Sequence, residues 1–519
     1  MNRPLFSLTA KVLFAGVIVL CFARTSGATT YYWKNSTSTT DYKVWDEVDP
    51  NDGTYVNWST ESTTGANASS LPGTSDTVKQ VNVAYDLNGG DWTVGTFGAN
   101  AGWQGFSVRN GTLTVTTQYY GQYGTHRWNG VHLIVPVGSE ARTGASDANP
   151  TAWNLVDGTV LDIFGKMNSF HARVSIDATS TLNFNPSSYA TDGGSTRYDE
   201  WKNNGTFNLP NGMKMTSGSL QCRVIQQGGT MNLGGDLAAN GHNFTFTWSG
   251  GTVNVMNDAT LDGVTVAVSS SVTLNVDSGA SFTIPASATF ASGITLTKTG
   301  AGCVRFQSAN LPPALVMSAG TLILDTANTS YDLSNVTFAA GTKLQIGATG
   351  VTLSSWDTSL ANVTFSAASG FSPANGATVL TCADATILAA AESGLNASLP
   401  AGLSVSISGN SLVVESHYTF NSTTVTDMTD PDGWLGGAVG AAGQPVLIAG
   451  SGVAPVMTDN TPTYATISVE DGASLTVASE RTIPAMRLLR NPCEFEASHP
   501  LRPLHALPAD SQALISSTI

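Results

Sequence analysis

A short unit, in which a small residue and a threonine precede alternating apolar residues, recurs along the middle of the chain. In one such unit, Thr181-Leu182-Asn183-Phe184, apolar and polar residues alternate with period two, as expected of a strand with one buried face. The alternation predicts that Leu182 and Phe184 point inward while Thr181 and Asn183 face outward. Successive threonines of the repeat are 21 to 26 residues apart. They are Thr159, Thr181, Thr206, Thr230, Thr252, Thr273, Thr295, Thr321, Thr342 and Thr364.

The repeat length indicates the architecture. Three strands of about five residues joined by turns make a coil of roughly 20 to 25 residues, which is one turn of a parallel β-helix. A propeller blade needs about 40 residues or more, and the Leu-rich consensus of leucine-rich repeats is absent. Helical repeats are disfavoured because helical periodicity is missing. The sequence therefore predicts an all-β fold, a parallel β-helix (β-solenoid) with coils of about 22 residues.

Asparagine occupies the position between two apolar residues in five consecutive coils. The same strand stacks at about 4.8 Å in successive coils, so these amides are predicted to form a hydrogen-bonded ladder along the axis. Its expected role is to stabilise the coil. The functional alternative is a flat polar docking surface for a glycan or a protein partner. The five residues are Asn183, Asn208, Asn232, Asn254 and Asn275.

Two glycine-containing stretches, Leu296–Gly302 and Ser318–Asp325, read Leu-Thr-Lys-Thr-Gly-Ala-Gly and Ser-Ala-Gly-Thr-Leu-Ile-Leu-Asp. They resemble the autotransporter-associated β-strand repeat, whose unit is Leu-x-Lys-x-Gly-x-Gly, a variable bridge and then x-x-Gly-Thr-Leu-x-Leu. Cys303–Phe306 stands where that family usually has Thr-Leu-x-Leu, and it keeps the apolar alternation partly intact. The resemblance implies the passenger region of a bacterial surface or type V-secreted protein, with a right-handed β-helix and no catalytic residue.

Shifts in composition predict the organisation of the chain. Residues 29–91, rich in Trp and Tyr, are expected to cap the first coil, because an open solenoid end exposes apolar core and strand edges. The parallel β-helix is predicted for 92–415, with a short helix or a bulging loop in the Ala-rich stretch Cys382–Asn396. Further solenoid-like sequence follows at 416–480. Glycine and strand alternation vanish in 481–519, which is interpreted as an atypical cap or as a truncated or frameshifted end.

The start of the chain is typical of an export signal. Arg3 and Lys11 are cationic, Val12–Ala23 is an almost unbroken apolar run, and Ser26–Ala28 supplies the small residues that signal peptidase requires. The apolar run has 12 residues, too few to cross a bilayer, which takes about 20. Cleavage after Ala28 is therefore predicted rather than an uncleaved anchor. The protein is expected to be secreted or held at the cell surface, with no transmembrane segment after cleavage.

Composition and charge narrow the classes of partner. Charged residues make up 11% of the chain, against about 25% in ordinary globular proteins, while 41% of residues are apolar. A formal net charge of −15 argues against nucleic acid and anionic membranes, which would repel the chain. Glycans or other surface proteins are the expected partners. Four cysteines follow Cys21 without any Cys-x-x-Cys pair, which argues against zinc and against a disulfide framework. They are Cys222, Cys303, Cys382 and Cys493.

Many parallel β-helices cleave polysaccharides with paired carboxylates, and three local clusters of this chain contain residue types that could take part in catalysis. The first, Arg197–Lys202, offers Asp199 and Glu200 with aromatic neighbours that could stack on sugar. Adjacent strand residues point to opposite faces, so these two acids cannot act as a pair without an irregular loop. The sequence favours a charged surface loop here, a solvated turn for His171 with Arg173 and Lys166, and a turn for Gly241–Asn243. No catalytic, cofactor-binding or metal residue is predicted.

Three functions stay open at this stage. A surface-exposed structural or adhesive stalk without catalysis is favoured, since every visible feature serves a long stiff stack. A carbohydrate-active β-helix enzyme, lyase or hydrolase, is the alternative, and a row of acids on one sheet face would favour it. A non-catalytic glycan-binding protein is the second alternative, and outward aromatic pairs would favour it. The tryptophans to inspect are Trp92, Trp103, Trp128, Trp153 and Trp201.

Overall fold

The computed structural model shows an all-β chain, with 54% strand and 5% helix, that winds into a parallel β-solenoid of about 15 turns spaced by about 22 residues. This confirms the predicted fold class. The predicted signal sequence and most of the predicted tail lie outside the described residues. The structure describes residues 28–497 except for 35–41, 62–63, 81–82, 100–104, 122–123, 144–149, 170, 192–197, 216–220, 372, 375, 400–402, 417, 421, 423, 435–444, 449–453, 458–460, 462–463, 465, 470–474, 478–485 and 489–494.

Short strands follow one another along the described chain, with a mean length near that of ordinary sheet proteins. In the first third they are β1 Thr30–Trp33, β2 Lys43–Val44, β3 Trp58–Ser59, β4 Thr77–Gln80, β5 Val83–Asp86, β6 Asp91–Ala99, β7 Phe106–Gly121, β8 Gly124–Val135, β9 Glu140–Thr143, β10 Thr151–Val156, β11 Val160–Ile163, β12 Lys166–Ser169, β13 Ala172–Ile176 and β14 Thr181–Phe184. In the middle they are β15 Ser188–Thr191, β16 Tyr198–Asn203, β17 Thr206–Leu209, β18 Met213–Lys214, β19 Gln221–Gln226, β20 Thr230–Leu233, β21 Leu237–Ala238, β22 Phe244–Trp248, β23 Thr252–Val255, β24 Ala259–Asp262, β25 Thr265–Val268, β26 Val272–Val276, β27 Ser281–Ile284, β28 Thr289–Phe290, β29 Thr295–Thr299, β30 Cys303–Phe306, β31 Ala314–Met317 and β32 Thr321–Leu324.

The remaining elements include the one α-helix among the described residues. They are β33 Ser330–Leu333, β34 Val336–Phe338, β35 Lys343–Ile346, β36 Val351–Trp356, a 3-10 turn at Thr358–Asn362, β37 Thr364–Ala367, β38 Thr378–Cys382, α1 Ala385–Asn396, β39 Leu403–Ser408, β40 Ser411–Ser416, β41 Tyr418–Phe420, a 3-10 turn at Pro431–Gly433, β42 Pro445–Ile448, β43 Val456–Met457, β44 Thr466–Val469, β45 Leu475–Val477, β46 Met486–Leu488 and β47 Phe495–Ala497.

Equivalent strands of successive coils pair in parallel and build three faces. The first face contains β10, β13, β16, β19, β22, β25 and β28. The second contains β11, β14, β17, β20, β23, β26, β29, β31 and β34. The third contains β9, β12 and β15, and further along β18, β21, β24, β27, β30, β32, β35 and β37. Strand β8 is long enough to pair with both β10 and β11.

Inward side chains of the coils stack into a continuous apolar core. In β14, Leu182 and Phe184 are buried while Thr181 and Asn183 are partly exposed, as the alternation predicts. Because the coils are in register, Leu182 lies beside Phe207 of the next coil. Burying a side chain of this size contributes about 1.5–3 kcal/mol. A single coil cannot bury its own apolar face, so the stack is stable only as a series.

Glycines at the corners between the first and second faces let the coils approach closely. Gly229 has a φ of +58°, and a Cβ atom there would lie 2.0 Å from the carbonyl oxygen of Gly205. Gly251 has a φ of +70°, and its Cβ position lies 2.5 Å from the carbonyl oxygen of Gly229. Only glycine tolerates both the left-handed backbone and this contact. This explains why glycine precedes threonine in these units.

The repeat threonines form one aligned column only in the five central coils. Strand pairing aligns the five threonines of the central coils, Thr181 to Thr273. Thr159 is not part of the column, because Val160 is the residue that pairs with Thr181. A slip of one residue turns a side chain to the other face, and Thr159 is fully buried. Beyond the fifth threonine the register changes, and Thr273 pairs with Thr297 rather than Thr295. Thr321 and Thr364 lie on the third face, and Thr342 is buried at a corner.

The stretch that resembles autotransporter-associated repeats forms a glycine corner fixed by a buried lysine. Lys298 is fully buried, and its Nζ donates to the carbonyl oxygens of Thr299 (2.6 Å) and Gly300 (2.8 Å). Burial lowers the pKa of Lys298 to about 8. Residues Cys303–Phe306 pair in register with Thr321–Leu324 of the next coil. The departure from the family pattern therefore keeps the alternation, with its second and fourth residues buried.

Aromatic residues cluster at the N-terminal end of the solenoid. Trp33, Trp45 and Trp58 are buried, and the rings of Trp33 and Tyr85 are 4.3 Å apart. Strand β1 pairs antiparallel with β3 through Trp33 and Trp58, and parallel with β4. Aromatic side chains bury a large area per residue. The segment predicted as a cap thus contains both an aromatic cluster and the first parallel pairings.

Helix α1 and an antiparallel hairpin follow the last coil of the main stack. The helix confirms the first of the two alternatives for the Ala-rich stretch. The side chain of Asp384 accepts hydrogen bonds from the N–H groups of Thr386 and Ile387, an N-cap that satisfies free backbone donors. Leu388 and Leu395 of the helix are buried in the main core. Strands β39 and β40 form the hairpin, which pairs antiparallel with β38, so parallel stacking stops here.

Parallel strands resume after the hairpin around a second apolar cluster. Strands β41, β42, β44 and β46 pair in parallel, as do β43, β45 and β47. Their buried residues, including Phe420, Ile448 and Ile467, form a cluster separate from the main core. The segment that the sequence marks as further solenoid therefore has its own core.

Replacing a corner glycine should test the close approach of the coils. Gly229→Ala is expected to lower the free energy of unfolding by at least twice as much as Gly279→Ala. Both positions have positive φ, but nothing lies within 4 Å of the Cβ position at Gly279. A left-handed backbone alone costs about 1–2 kcal/mol, and the contact with Gly205 adds to that cost. Chemical denaturation of the two variants measures the difference, and equal losses would show that the corner relaxes freely.

Candidate functional site

The candidate cluster lies on strand β16 of the first face and not on a surface loop. The prediction of a charged loop is therefore wrong for Tyr198–Lys202, while Arg197 lies outside the described residues. Tyr198 and Lys202 are partly exposed, whereas Asp199 and Trp201 have no exposed surface. The strand forms because Trp201 fills the core, and the period of two then turns Asp199 inward with it. Asp199 and Glu200 point to opposite faces, as predicted for strand neighbours.

Asp199 is a buried carboxylate that accepts hydrogen bonds from two strands of the preceding coil, β13 and β15. Its Oδ1 accepts from the backbone N–H of Ala172 at 2.7 Å, and its Oδ2 accepts from the hydroxyl of Tyr189 at 2.8 Å. The indole Nε1 of Trp201 donates to the same Tyr189 oxygen at 3.3 Å. A buried polar group costs little only when it is hydrogen-bonded in this way. The arrangement is a structural hydrogen-bond network inside the core.

Burial sets the ionisation of this network. Burial raises the pKa of Asp199 to about 6, against the opposing effect of hydrogen bonds from Ser169, Ala172 and Tyr189. Burial also raises the pKa of Tyr189 well above its usual value, with the charge of Asp199 adding to the effect. Cys222 is the neighbour of Asp199 in the next coil, and burial raises the pKa of the Cys222 thiol as well. Cys222 is therefore a protonated core thiol, and such thiols are poor nucleophiles.

The outward side of the same strand is charged. Lys202 Nζ lies 2.9 Å from Glu200 Oε1. The ring of Tyr198 lies between two guanidinium groups, with the central carbon of Arg173 at 5.3 Å and that of Arg223 at 3.8 Å from the ring centroid. Both arginines neighbour Glu200 in adjacent coils. Because Arg223 lies over the ring and the hydroxyl accepts a hydrogen bond from Arg173, Tyr198 is not an open platform for stacking on a sugar.

The second predicted cluster does not form a solvated turn. His171 is buried, with a φ of +59°, at the corner between β12 and β13. Its ring lies 5.9 Å from that of Tyr198, so His171 and Arg173 both contact the first cluster instead. Lys166 is exposed at the start of β12. At the third site, Gly241 and His242 form a turn, as predicted.

The predicted asparagine ladder is present on the second face. Asn208, Asn232 and Asn254 each donate a side-chain hydrogen bond to the asparagine one coil before them, at 2.6, 2.6 and 2.8 Å. At the C-terminal end Asn275 stays in register with Asn254 but donates to Asp277 at 3.2 Å. Four coils are thus joined by a continuous chain of amides, each oriented in the same direction.

The sequence did not reveal how the ladder begins. Asn183 donates to Asp162 Oδ1 at 2.6 Å, and the other oxygen of Asp162 lies 2.7 Å from Nε2 of His132. A carboxylate is a pure acceptor, so it suits the end of a ladder in which every amide donates toward it. In the sequence, Asp162 precedes Asn183 by about one coil length, which is the only indication of this contact. That the two residues are direct neighbours follows from the pairing of β11 with β14.

The tryptophans expected to mark a glycan-binding surface belong mostly to the core. Trp128, Trp153 and Trp201 are fully buried. Trp92 is partly buried, and its indole Nε1 donates to the carbonyl oxygen of Leu87 at 3.0 Å. Trp103 lies outside the described residues. The four described tryptophans therefore form no outward aromatic pair on the strand faces.

The described residues hold no group of three or more His, Cys, Asp or Glu side chains placed to bind a metal ion. Two outward acids, Asp162 and Glu200, lie on different faces: Asp162 is beside Asn183 on the second face and Glu200 is beside Arg173 on the first. These two acids therefore do not form a row on one sheet face. A shallow pocket of about 320 Å³ lies at the corner of Ala301, Gly320 and Lys343, far along the stack from the candidate cluster. None of the helices in the described ranges is long and apolar enough to cross a bilayer.

Comparisons of the chain with protein-family models, with curated proteins and with solved structures give no match.

Breaking the amide ladder in its middle should destabilise the stack. Asn208→Ala removes the donor to Asn183 and the acceptor for Asn232, and we expect a loss of about 1–3 kcal/mol in the free energy of unfolding. The matched control is Asn211→Ala, which removes one exposed side-chain bond to Asn185 and should cost less than about 0.5 kcal/mol. Denaturant midpoints compare the two, and equal midpoints would show that the ladder adds nothing to stability.

Asp199→Asn should remove a pH dependence from the free energy of unfolding. The folded pKa of about 6 exceeds the ordinary value of 3.8, so the folded chain binds this proton more tightly and its stability rises as the pH falls through that window. Between about pH 7 and pH 4.5 the wild type should gain about 2 kcal/mol relative to Asp199→Asn, since one pKa unit corresponds to about 1.4 kcal/mol. Denaturation at both pH values measures the gain. An unchanged difference would contradict the raised pKa.

Proposed function

We propose that the chain is a secreted or cell-surface β-solenoid that acts as a stiff structural or adhesive stalk. The observation that carries the proposal is the ladder from Asp162 to Asn254, in which outward polar side chains bond coil to coil. Side chains used in this way stabilise the stack instead of contacting substrate. With about 15 turns spaced by about 4.8 Å, the stalk is about 70 Å long.

Stiffness follows from the continuity of the core. One apolar cluster runs from Tyr31 to Val414, and each coil is bonded to its neighbours through the backbone on three faces. Packed interiors resist deformation because their side chains interdigitate at crystal-like density. A stack of this kind presents its outer surface at a fixed distance from its point of attachment, which is what a stalk requires.

Export and surface location are supported by the sequence. The cationic start, the apolar run Val12–Ala23 and the small residues before Thr29 are typical of a signal sequence. The similarity of Leu296–Gly302 and Ser318–Asp325 to autotransporter-associated repeats supports a bacterial surface role. In two successive coils, the glycines of these stretches lie at the corner between the second and third faces. The glycines of the family's repeat would likewise allow the chain to turn tightly between two strands.

The alternative of a polysaccharide-cleaving enzyme has less support. Of the two acids in the candidate cluster, Asp199 is buried within a hydrogen-bond network and Glu200 is paired with Lys202. Glycosidases need two carboxylates on either side of one bond, roughly 5–10 Å apart and open to substrate. Asp199 and Glu200 face opposite sides of the strand and do not meet this requirement.

Location and mass test the proposal. The native protein should be recovered from the medium or from the outer surface of intact cells, with a mass consistent with an N-terminus at Thr29. Protease added to intact cells should remove the surface-held form. Recovery in the cytosol with Met1 retained would overturn the proposal.

A second measurement separates the stalk from the enzyme. The purified protein, incubated with acidic and neutral polysaccharides, should release neither reducing ends nor unsaturated products. Cleavage that is lost in Glu200→Gln and retained in the control Glu140→Gln, whose side chain accepts from Gln118 on β7, would instead establish the enzyme alternative.

A further inference from the structure

The outward surface of the first face concentrates positive charge. Arg173, Glu200 and Arg223 occupy one column of three successive coils. In the neighbouring column, Lys202 lies in the same coil as Glu200, and Arg127 lies three coils earlier. We call these five side chains the cationic face. It holds four cations and one carboxylate within a chain whose formal net charge is −15.

Glu200 does not neutralise the arginines. It is paired with Lys202 at 2.9 Å, whereas Arg173 directs its Nη2 to the hydroxyl of Tyr198 at 3.1 Å. The Nε of Arg173 is buried and has no hydrogen-bond partner. The positions between Arg127 and Lys202 in their column are the neutral Asn154 and Ser175. The four cations and one carboxylate of the cationic face therefore sum to a formal charge of +3, on a chain whose net charge is −15.

The arginines are also preorganised. Tyr198 positions both arginines: the guanidinium carbon of Arg223 lies over its ring at 3.8 Å from the centroid, and Arg173 donates to its hydroxyl at 3.1 Å. Two coil spacings of about 4.8 Å place the two arginine backbones about 10 Å apart along the axis. A guanidinium fixed in this way loses little side-chain entropy when it binds a carboxylate or sulfate through two parallel N–H donors.

We propose that the cationic face binds the acidic groups, carboxylate or sulfate, of a linear polysaccharide that lies along the solenoid axis. The flat run of coils suits an extended ligand with charges at regular intervals. A glycan is favoured over single-stranded nucleic acid because bases bind by stacking on open aromatic rings. Here Arg223 already lies over the ring of Tyr198 and Trp201 is fully buried.

This proposal deepens the adhesive role proposed above, and it rests on that role for the presence of a glycan outside the cell. The charge of −15 opposes any polyanion at long range, so binding depends on short-range contacts with the arginines. Binding of a polyanion to cationic side chains releases the polyanion's counterions, so these contacts weaken as salt is added. The affinity should therefore fall between low and physiological ionic strength.

Binding of the purified full chain to polygalacturonate and to heparin tests the proposal, with neutral dextran as the negative polymer. We expect both polyanions to bind at low salt and dextran not to bind. Arg173→Gln/Arg223→Gln should weaken binding at least about tenfold, because two charge-assisted bidentate contacts are lost. The matched control is Lys214→Gln, which removes an exposed cation from the third face and should change the affinity by less than about twofold.

If the double variant does not fold, Arg223→Lys replaces it, since this change keeps the positive charge. Arg223→Lys should still weaken binding because lysine cannot bind bidentately. Failure of the wild type to bind either polyanion, or unchanged binding by a folded double variant, would overturn the site. Tighter binding of single-stranded DNA through the same arginines would overturn the choice of a glycan. These results are independent of cell fractionation, so an intracellular location would overturn the stalk function without touching the measured affinity.

Discussion

Register between the coils is the constraint on which the rest of the structure depends. In a parallel stack, each strand position has the equivalent position of the next coil about 4.8 Å above it and below it. Side chains therefore meet members of their own column, and residues that pair well with copies of themselves are favoured. Asparagine is such a residue because its amide both donates and accepts. The column from Asn183 to Asn254 follows from this rule, as do the apolar columns of the core.

The same rule explains how polar groups are tolerated inside. Asn203 and Gln226 are buried neighbours in one column, joined by an amide hydrogen bond of 2.8 Å. The next member of that column is Trp248, so the polar pair ends where the core turns apolar again. Asp199 has no like neighbour, and its partners come from other coils. Because its carboxylate is buried in a column without a matching polar neighbour, the pKa of Asp199 is raised to about 6.

The sequence predicted what depends on local alternation and missed what depends on corner lengths. The inward positions Leu182 and Phe184 and the asparagine ladder follow from period and spacing alone. Thr159 and Thr295 lie outside the threonine column because a corner can absorb one or two residues without changing the repeat length. Asp199 lies on a strand and not in the predicted loop, and it shares its parity with Trp201. Its stabilising partner Tyr189 lies on β15, a strand of the preceding coil, and nothing in the sequence pattern indicates that contact.

The cationic face arises from the same constraint and shows its limit. Arginine stacked directly on arginine would be repulsive across one coil spacing, and the column avoids this contact because Glu200 stands between Arg173 and Arg223. One acid between the two arginines is enough to separate them. The same strand nevertheless carries Lys202, which forms an ion pair with Glu200. The extra cation raises the local charge without improving the stack. Since coil stability does not require this surplus, binding of an anionic ligand is the simplest physical reason for it.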